Sequence, residues 1–245
     1  MCMKKKFNII AVVSARGGSK GIPRKNIKKL NKIPLIFYSI KNLLKIKEIN
    51  RVILSSDSKK IIQITKRKFP QIETIVRPGK LALDKTPLTS VVKYVAMEEF
   101  KKGYKSDFVL QVAPTCPFIK VKTLKKIIQL LIQKKTNCVV TLKRIEHEHP
   151  YRAKKLSHID NIFSNFIKNK NVEKFISRQD LPELYCTSGG IYARSFELLK
   201  TYNEKNFCLG KKPIGVVVDD IEAVNIDRPI DFDFAELLAK KYKIK

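Results

Sequence analysis

The sequence predicts an α/β fold in which a mostly parallel sheet is covered by helices on both faces. Short β-branched runs alternate with amphipathic helical stretches as far as Leu142, the pattern of repeated βα units. The first apolar run breaks into a glycine-rich, cationic loop, and such turns hold phosphates at the carboxyl end of a parallel sheet. A chain of 245 residues with 44% hydrophobic content can build one sizeable core, so one domain is expected over 1–245, with an excursion near 143–185.

Ile9 to Val13 has the length and branching of a buried strand, and the loop that follows it completes AVVSARGGSKGIPRKN, Ala11 to Asn26. Gly17, Gly18 and Gly21 let the backbone approach a ligand, while Arg16, Lys20, Arg24 and Lys25 supply the cations a triphosphate needs. The loop matches neither G-x-x-x-x-G-K-[ST] nor G-x-G-x-x-G, which argues against a Walker-type ATPase and a dinucleotide-dependent dehydrogenase. Pro34 suits the first turn of a helix carrying Leu35, Ile36, Ile40, Leu43 and Leu44. Arg51 to Ser55 is the next strand, and Ser56-Asp57-Ser58 follows as a loop and N-cap for a helix over 59–68.

A third unit comprises a strand at Thr74 to Val76, the loop RPGKLALDKTP, and a helix from Leu88 to Lys102 with Val91, Val92, Val95 and Phe100 inward. A loop of that length at a strand end is suited to holding a ligand. Asp107 to Ala113 reads as a central strand ended by Pro114 and Pro117, followed by a helix over 123–134 and a strand at Cys138 to Leu142. From Lys143 to about Tyr185 the helical period disappears, which predicts an irregular excursion. The main pattern resumes with a strand at Gly189 to Ala193, a helix at Ser195 to Tyr202, a strand at Gly215 to Val218 and a helix at Pro229 to Lys241.

The net charge of +29 is spread over most segments, so it reads as a solvated, compositionally biased surface and makes nucleic acid an unlikely partner. Five cysteines without C-x-x-C spacing suit a reducing compartment, and no apolar run approaches the ~18 residues of a membrane span. Without a signal-peptide pattern, the expected location is cytoplasmic with no membrane insertion. His147 and His149 lack a third ligand in sequence and Cys116 lacks a paired histidine, so neither zinc nor a thiol nucleophile is expected.

The block ARGGSKGIPRKN resembles the signature of the cytidylyltransferases that activate acidic sugars, above all the CMP-N-acylneuraminate synthetases. RVILSSDS, RPGKLALDKTP, PTCPF, SRQDLPELY, SGGIYA and AVNIDRPIDFDFAELL follow in that family's order. The resemblance implies a three-layer α/β/α, Rossmann-like nucleotide-diphospho-sugar transferase fold. It also implies CTP and an acidic nonulosonic sugar as substrates, Mg2+ as cofactor, and a homodimer to which the 143–185 excursion contributes.

On the matching positions, the resemblance assigns Arg16, Lys25 and Asp227 to catalysis. Ala15, Gly17, Ser19, Lys20, Gly21, Asn26 and Arg77 join Arg16 and Lys25 around the nucleotide, Gln111, Arg178 and Gln179 face the sugar, and Asp227 holds the metal. Three positions depart from the family pattern: Asn225 replaces a second acid, Ala113 replaces a glutamine, and Ser188 replaces an asparagine. The same reaction on a legionaminic, pseudaminic or ketodeoxyoctonate-like acid is the close alternative. A basic nucleic-acid-binding protein on a degenerate transferase fold is the alternative from another class.

Overall fold

The computed structural model describes residues 6–133, 136–157, 159, 161–168 and 175–244. In chain order, β1 (Ile9–Ser14) is followed by the small hairpin β2 (Lys29–Leu30) and β3 (Ile33–Pro34), then α1 (Leu35–Leu43), β4 (Arg51–Ser56), α2 (Lys59–Lys68) and β5 (Glu73–Val76). Next come α3 (Leu88–Lys101), β6 (Phe108–Val112), α4 (Val121–Ile132) and β7 (Cys138–Arg144). The excursion contains the hairpin β8 (Lys154–Leu156) and β9 (Phe163–Asn165), and the chain closes with β10 (Tyr185–Ser195), α5 (Phe196–Lys200), β11 (Ile214–Val217) and α6 (Pro229–Lys241).

The main sheet has seven strands in the order β11-β7-β10-β6-β1-β4-β5. β1 lies inside it, parallel to β4 and β6, with Ala11 opposite both Val52 and Leu110. Alternate β1 residues serve opposite layers, because successive side chains of a strand point to opposite faces. Ile9, Ala11 and Val13 pack with α1, α2 and α4, whereas Ile10 and Val12 pack with α3 and α5. Burial on both sides is why β1 reads as an unbroken apolar run. A third cluster seats Phe232, Ala235 and Ala239 of α6 against Leu35 and Tyr38 of α1, and includes Ile22 and Ile226. That packing brings the turn before α6 to the loop after β1.

Several elements differ from the sequence expectation. β10 is antiparallel to both its neighbours. The excursion leaves from the carboxyl end of β7, so the strand that returns from it between β6 and β7 must run backward. Phe100 is 44% exposed and lies beside Phe196, while Glu99 turns inward at 1%. Arg51, at 2.6 Å, supplies the partner that lets the Glu99 carboxylate be buried. Pro34 is the extended residue before α1 because it ends β3. α5 is only five residues long, and Lys134, expected at the end of α4, lies outside the described residues.

Candidate active site

Connections leave β1 in opposite directions, toward β4 and, later in the chain, β6; open α/β sheets form their ligand crevice at such a point. A cleft of about 300 Å³ occupies the carboxyl ends of β1, β5 and β6. Arg16, Ser19, Lys20, Gly21, Lys25, Asn26, Arg77 and Asp227 line it, together with Ser14, Asp84, Ala113 and Thr115. Ala15 and Gly17 do not line it. The Ala15 amide donates to the Ser55 carbonyl at 3.0 Å, and the Gly17 amide donates to Asp57 Oδ1 at 2.9 Å.

The loop holds its shape by bonds to itself and to the turn before α6. Asn26 Nδ2 donates to the Arg16 carbonyl at 3.0 Å, and Lys25 Nζ donates to the Ile226 carbonyl at 2.8 Å and to Asp227 Oδ1 at 3.0 Å. A Cβ on Gly21 would stand 2.5 Å from the Asp227 carbonyl oxygen, so the two segments meet only because this residue has no side chain. Arg24 adopts the left-handed conformation at φ 54°.

Asp84, from the loop after β5, bridges the free ends of Arg16 and Lys20. Its hydrogen bond from Lys20, reinforced by Arg16, holds its carboxyl below the usual range. Arg77 is nearly buried, and its Nη2 donates to the Ser55 carbonyl at 3.0 Å while Nε has no partner among the described residues. Burial lowers the Arg77 pKa, opposed by nearby Asp57 and assisted by Arg16.

Asp227 also lines a second cavity of about 800 Å³, so one carboxylate joins the two spaces. Lys143, Ser188, Gly189, Asp220, Asn225 and Arg228 are among its other walls. Asn225 Nδ2 donates to Asp227 Oδ2 at 2.7 Å, and Ser188 Oγ donates to Thr141 Oγ1 at 2.7 Å. Two of the three family departures, Ser188 and Asn225, thus lie in this cavity, and the third, Ala113, lies in the first. Lys143 is the residue sequence reading passed over. Its signal was a position at the carboxyl end of a strand, but it fell where the regular pattern stops. Cys116, behind these residues, has its thiol pushed up to about 12 by burial and is protonated at neutral pH.

Three expected sugar contacts are placed elsewhere in the single chain. Gln111 lies opposite Val12 on the α3 side of the sheet, and its Oε1 accepts from Thr89 at 3.2 Å and Arg194 at 3.1 Å. It lines neither cavity, because one strand period upstream of Ala113 is already inside the sheet. Arg178 and Gln179 line a separate pocket of about 130 Å³ in the excursion, where Arg178 Nη1 stands 3.6 Å from Glu146 Oε2.

A cationic loop at the switch point thus adjoins, through one carboxylate, a second cavity with both polar and apolar walls. Residues 10–243 match the cytidylyltransferase family, and the chain belongs to it. Among its relatives is the pseudaminic acid cytidylyltransferase of Campylobacter jejuni, 29% identical over 232 residues that cover 94% of this chain and 96% of the relative. Another is the CMP-N,N'-diacetyllegionaminic acid synthase of Legionella pneumophila, 30% identical over 246 residues, or 95% and 96% of the two chains. A solved CMP:2-keto-3-deoxy-manno-octonic acid synthetase complexed with CTP shares the fold at a TM-score of 0.70 and 15% identity, covering 96% of this chain and 99% of its own.

Proposed function

We propose that the enzyme transfers the cytidylyl group of CTP to an acidic nonulosonic sugar, giving a CMP-sugar and pyrophosphate. The observation that carries this reading is the pair of cavities sharing Asp227. The first is walled by Arg16, Lys20, Lys25 and Arg77 and suits a triphosphate; the second suits a polar acceptor, with Lys143 exposed at the end of β7 as the cation for its carboxylate. The relatives named for pseudaminic and legionaminic acids support that acceptor class.

In this reaction the anomeric hydroxyl oxygen attacks the α-phosphorus, the bond to the β-phosphate breaks, and the hydroxyl proton passes to water. Little covalent work falls to the side chains, and their contribution is alignment and charge stabilisation. Arg16 and Lys20 exchange Asp84 for phosphate oxygens. Lys25, fixed by the Ile226 carbonyl and Asp227, holds a charge beside the junction.

Mg2+ fits a site built on Asp227. No three His, Cys, Asp or Glu side chains form a metal cage among the described residues, but Mg2+ commonly takes one or two carboxylates and completes its shell with substrate phosphates and water. Bound there, it would neutralise phosphate charge and assist departure of pyrophosphate.

The enzyme works as a homodimer in this reading. Phe163, Phe166 and Ile176 are each more than 60% exposed on the excursion, and a partner subunit covering them would gain a site contribution from Arg178 and Gln179. Incubation with CTP, Mg2+ and a panel of neuraminic, pseudaminic, legionaminic and ketodeoxyoctonic acids tests the reaction, with light scattering for subunit number. Pyrophosphate release with at least one acid is expected; none with any would overturn the proposal.

A further inference from the structure

Folding separates the charge that looks evenly scattered along the sequence. α2 and α4 cover the same face of the sheet, together with α1, whose Phe37 meets Phe69 just beyond α2 edge-on at 5.1 Å. α2 carries Lys59, Lys60, Lys66, Arg67 and Lys68 and no acid. α4 carries Lys122, Lys125 and Lys126 and no acid. All are exposed, and among the described residues none forms an ion pair.

The opposite face is built differently. There α3 and α5 pair Lys101 with Glu98, Lys102 with Glu99 and Lys200 with Glu197. A lysine-rich composition acting alone would leave both faces alike. One is internally neutralised and the other is not.

We propose that the α2–α4 face is a peripheral docking surface for an anionic lipid bilayer. Its cations are lysines except for Arg67, compact point charges without the planar fork that reads phosphates or guanine bidentately. No large exposed apolar side chain stands on α2 or α4, so the face has neither a stacking platform for unpaired bases nor a wedge for the acyl layer. Two helices laid against one sheet face spread their charge in breadth, which suits a plane of headgroups better than a groove. Attraction to such a plane is additive over lysines near the surface and decays within a Debye length. Neither cavity is lined by a residue of α2 or α4, so docking through that face leaves the active site open. This inference is independent of which sugar the enzyme takes.

The test is co-sedimentation of the full chain with phosphatidylglycerol–phosphatidylcholine vesicles, with pure phosphatidylcholine vesicles and duplex DNA as the other arms, at ~0.15 M salt. The triple variant Lys59→Glu, Arg67→Glu, Lys126→Glu reverses charge on the proposed face. Lys101→Glu, Lys102→Glu, Lys200→Glu makes the same change in net charge on the other. Unfolding midpoints establish that both variants fold. The proposal expects wild-type binding to anionic vesicles only, a loss of at least about tenfold in the first variant, and a change under about threefold in the second. No wild-type binding, equal losses in the two variants, or tighter binding to DNA than to vesicles would each overturn it.

Discussion

Gly21 shows why the phosphate loop and the turn before α6 behave as one unit. Its missing side chain is required by a backbone carbonyl, that of Asp227, rather than by an unusual φ. Gly21→Ala must displace one of the two segments, and a shift of about 1 Å at reacting groups costs on the order of 10²-fold in rate. We expect that loss in kcat/KM for CTP, measured by pyrophosphate release, with the fold retained by circular dichroism. Cys116 offers a pH test. Its thiol, at an ordinary 9.0 when free, is pushed up to about 12, so its contribution to stability is present below the unfolded value and is lost as pH rises toward the folded one. The urea midpoint should fall between about pH 9 and 11, and Cys116→Ala should flatten part of that slope. The sequence disclosed the glycine and the cations because loop chemistry is local. It did not disclose that Asp84 would sit across Arg16 and Lys20, since that meeting depends on how the loop after β5 folds back.

Among the elements, β10 departs most from the expected sheet, and it carries the most consequential buried polar group. Arg194 is 2% exposed, with Nε donating to the Cys208 carbonyl at 2.8 Å, Nη1 to Gln111 at 3.1 Å and Nη2 to the Phe207 carbonyl at 3.0 Å. Gln111 accepts in turn from Thr89 in the first turn of α3, whose neighbours Leu88 and Val91 line the first cavity. The arginine therefore ties the segment after α5 and the start of α3 to the sheet. Arg194→Met strands several buried acceptors, each worth roughly 1–3 kcal/mol, and urea unfolding should show a loss of about 3 kcal/mol. Strands and helices of the βα units were legible because apolar periodicity reports burial. The direction of β10 was not, because periodicity is the same for a strand read either way. The burial of Gln111 was not legible for a related reason: strand spacing gives its face relative to Ala113 but not how far the strand has entered the core.

At the scale of the whole molecule, the three clusters divide the work. Two sandwich the sheet, and the third draws α6 and its preceding turn to the β1 loop, so that Asp227 becomes a wall of both cavities. Of the nucleotide half, Arg16, Lys20 and Lys25 come from one continuous block of sequence, and Arg77, Asp84 and Asp227 join them from elsewhere in the chain. The acceptor half is assembled from β7, β10 and the turn before α6, and Lys143 emerged only when those ends came together. If nucleotide and acceptor occupy adjoining but separate cavities, their binding can be impaired separately. Steady-state kinetics of Lys143→Met and Arg16→Ala, with CTP and the best acidic sugar each varied in turn, tests this most directly. We expect Lys143→Met to raise the KM of the sugar at least about tenfold and to move that of CTP less than about threefold, and Arg16→Ala to show the reverse. Equal shifts in both constants for either variant would contradict the two-cavity account.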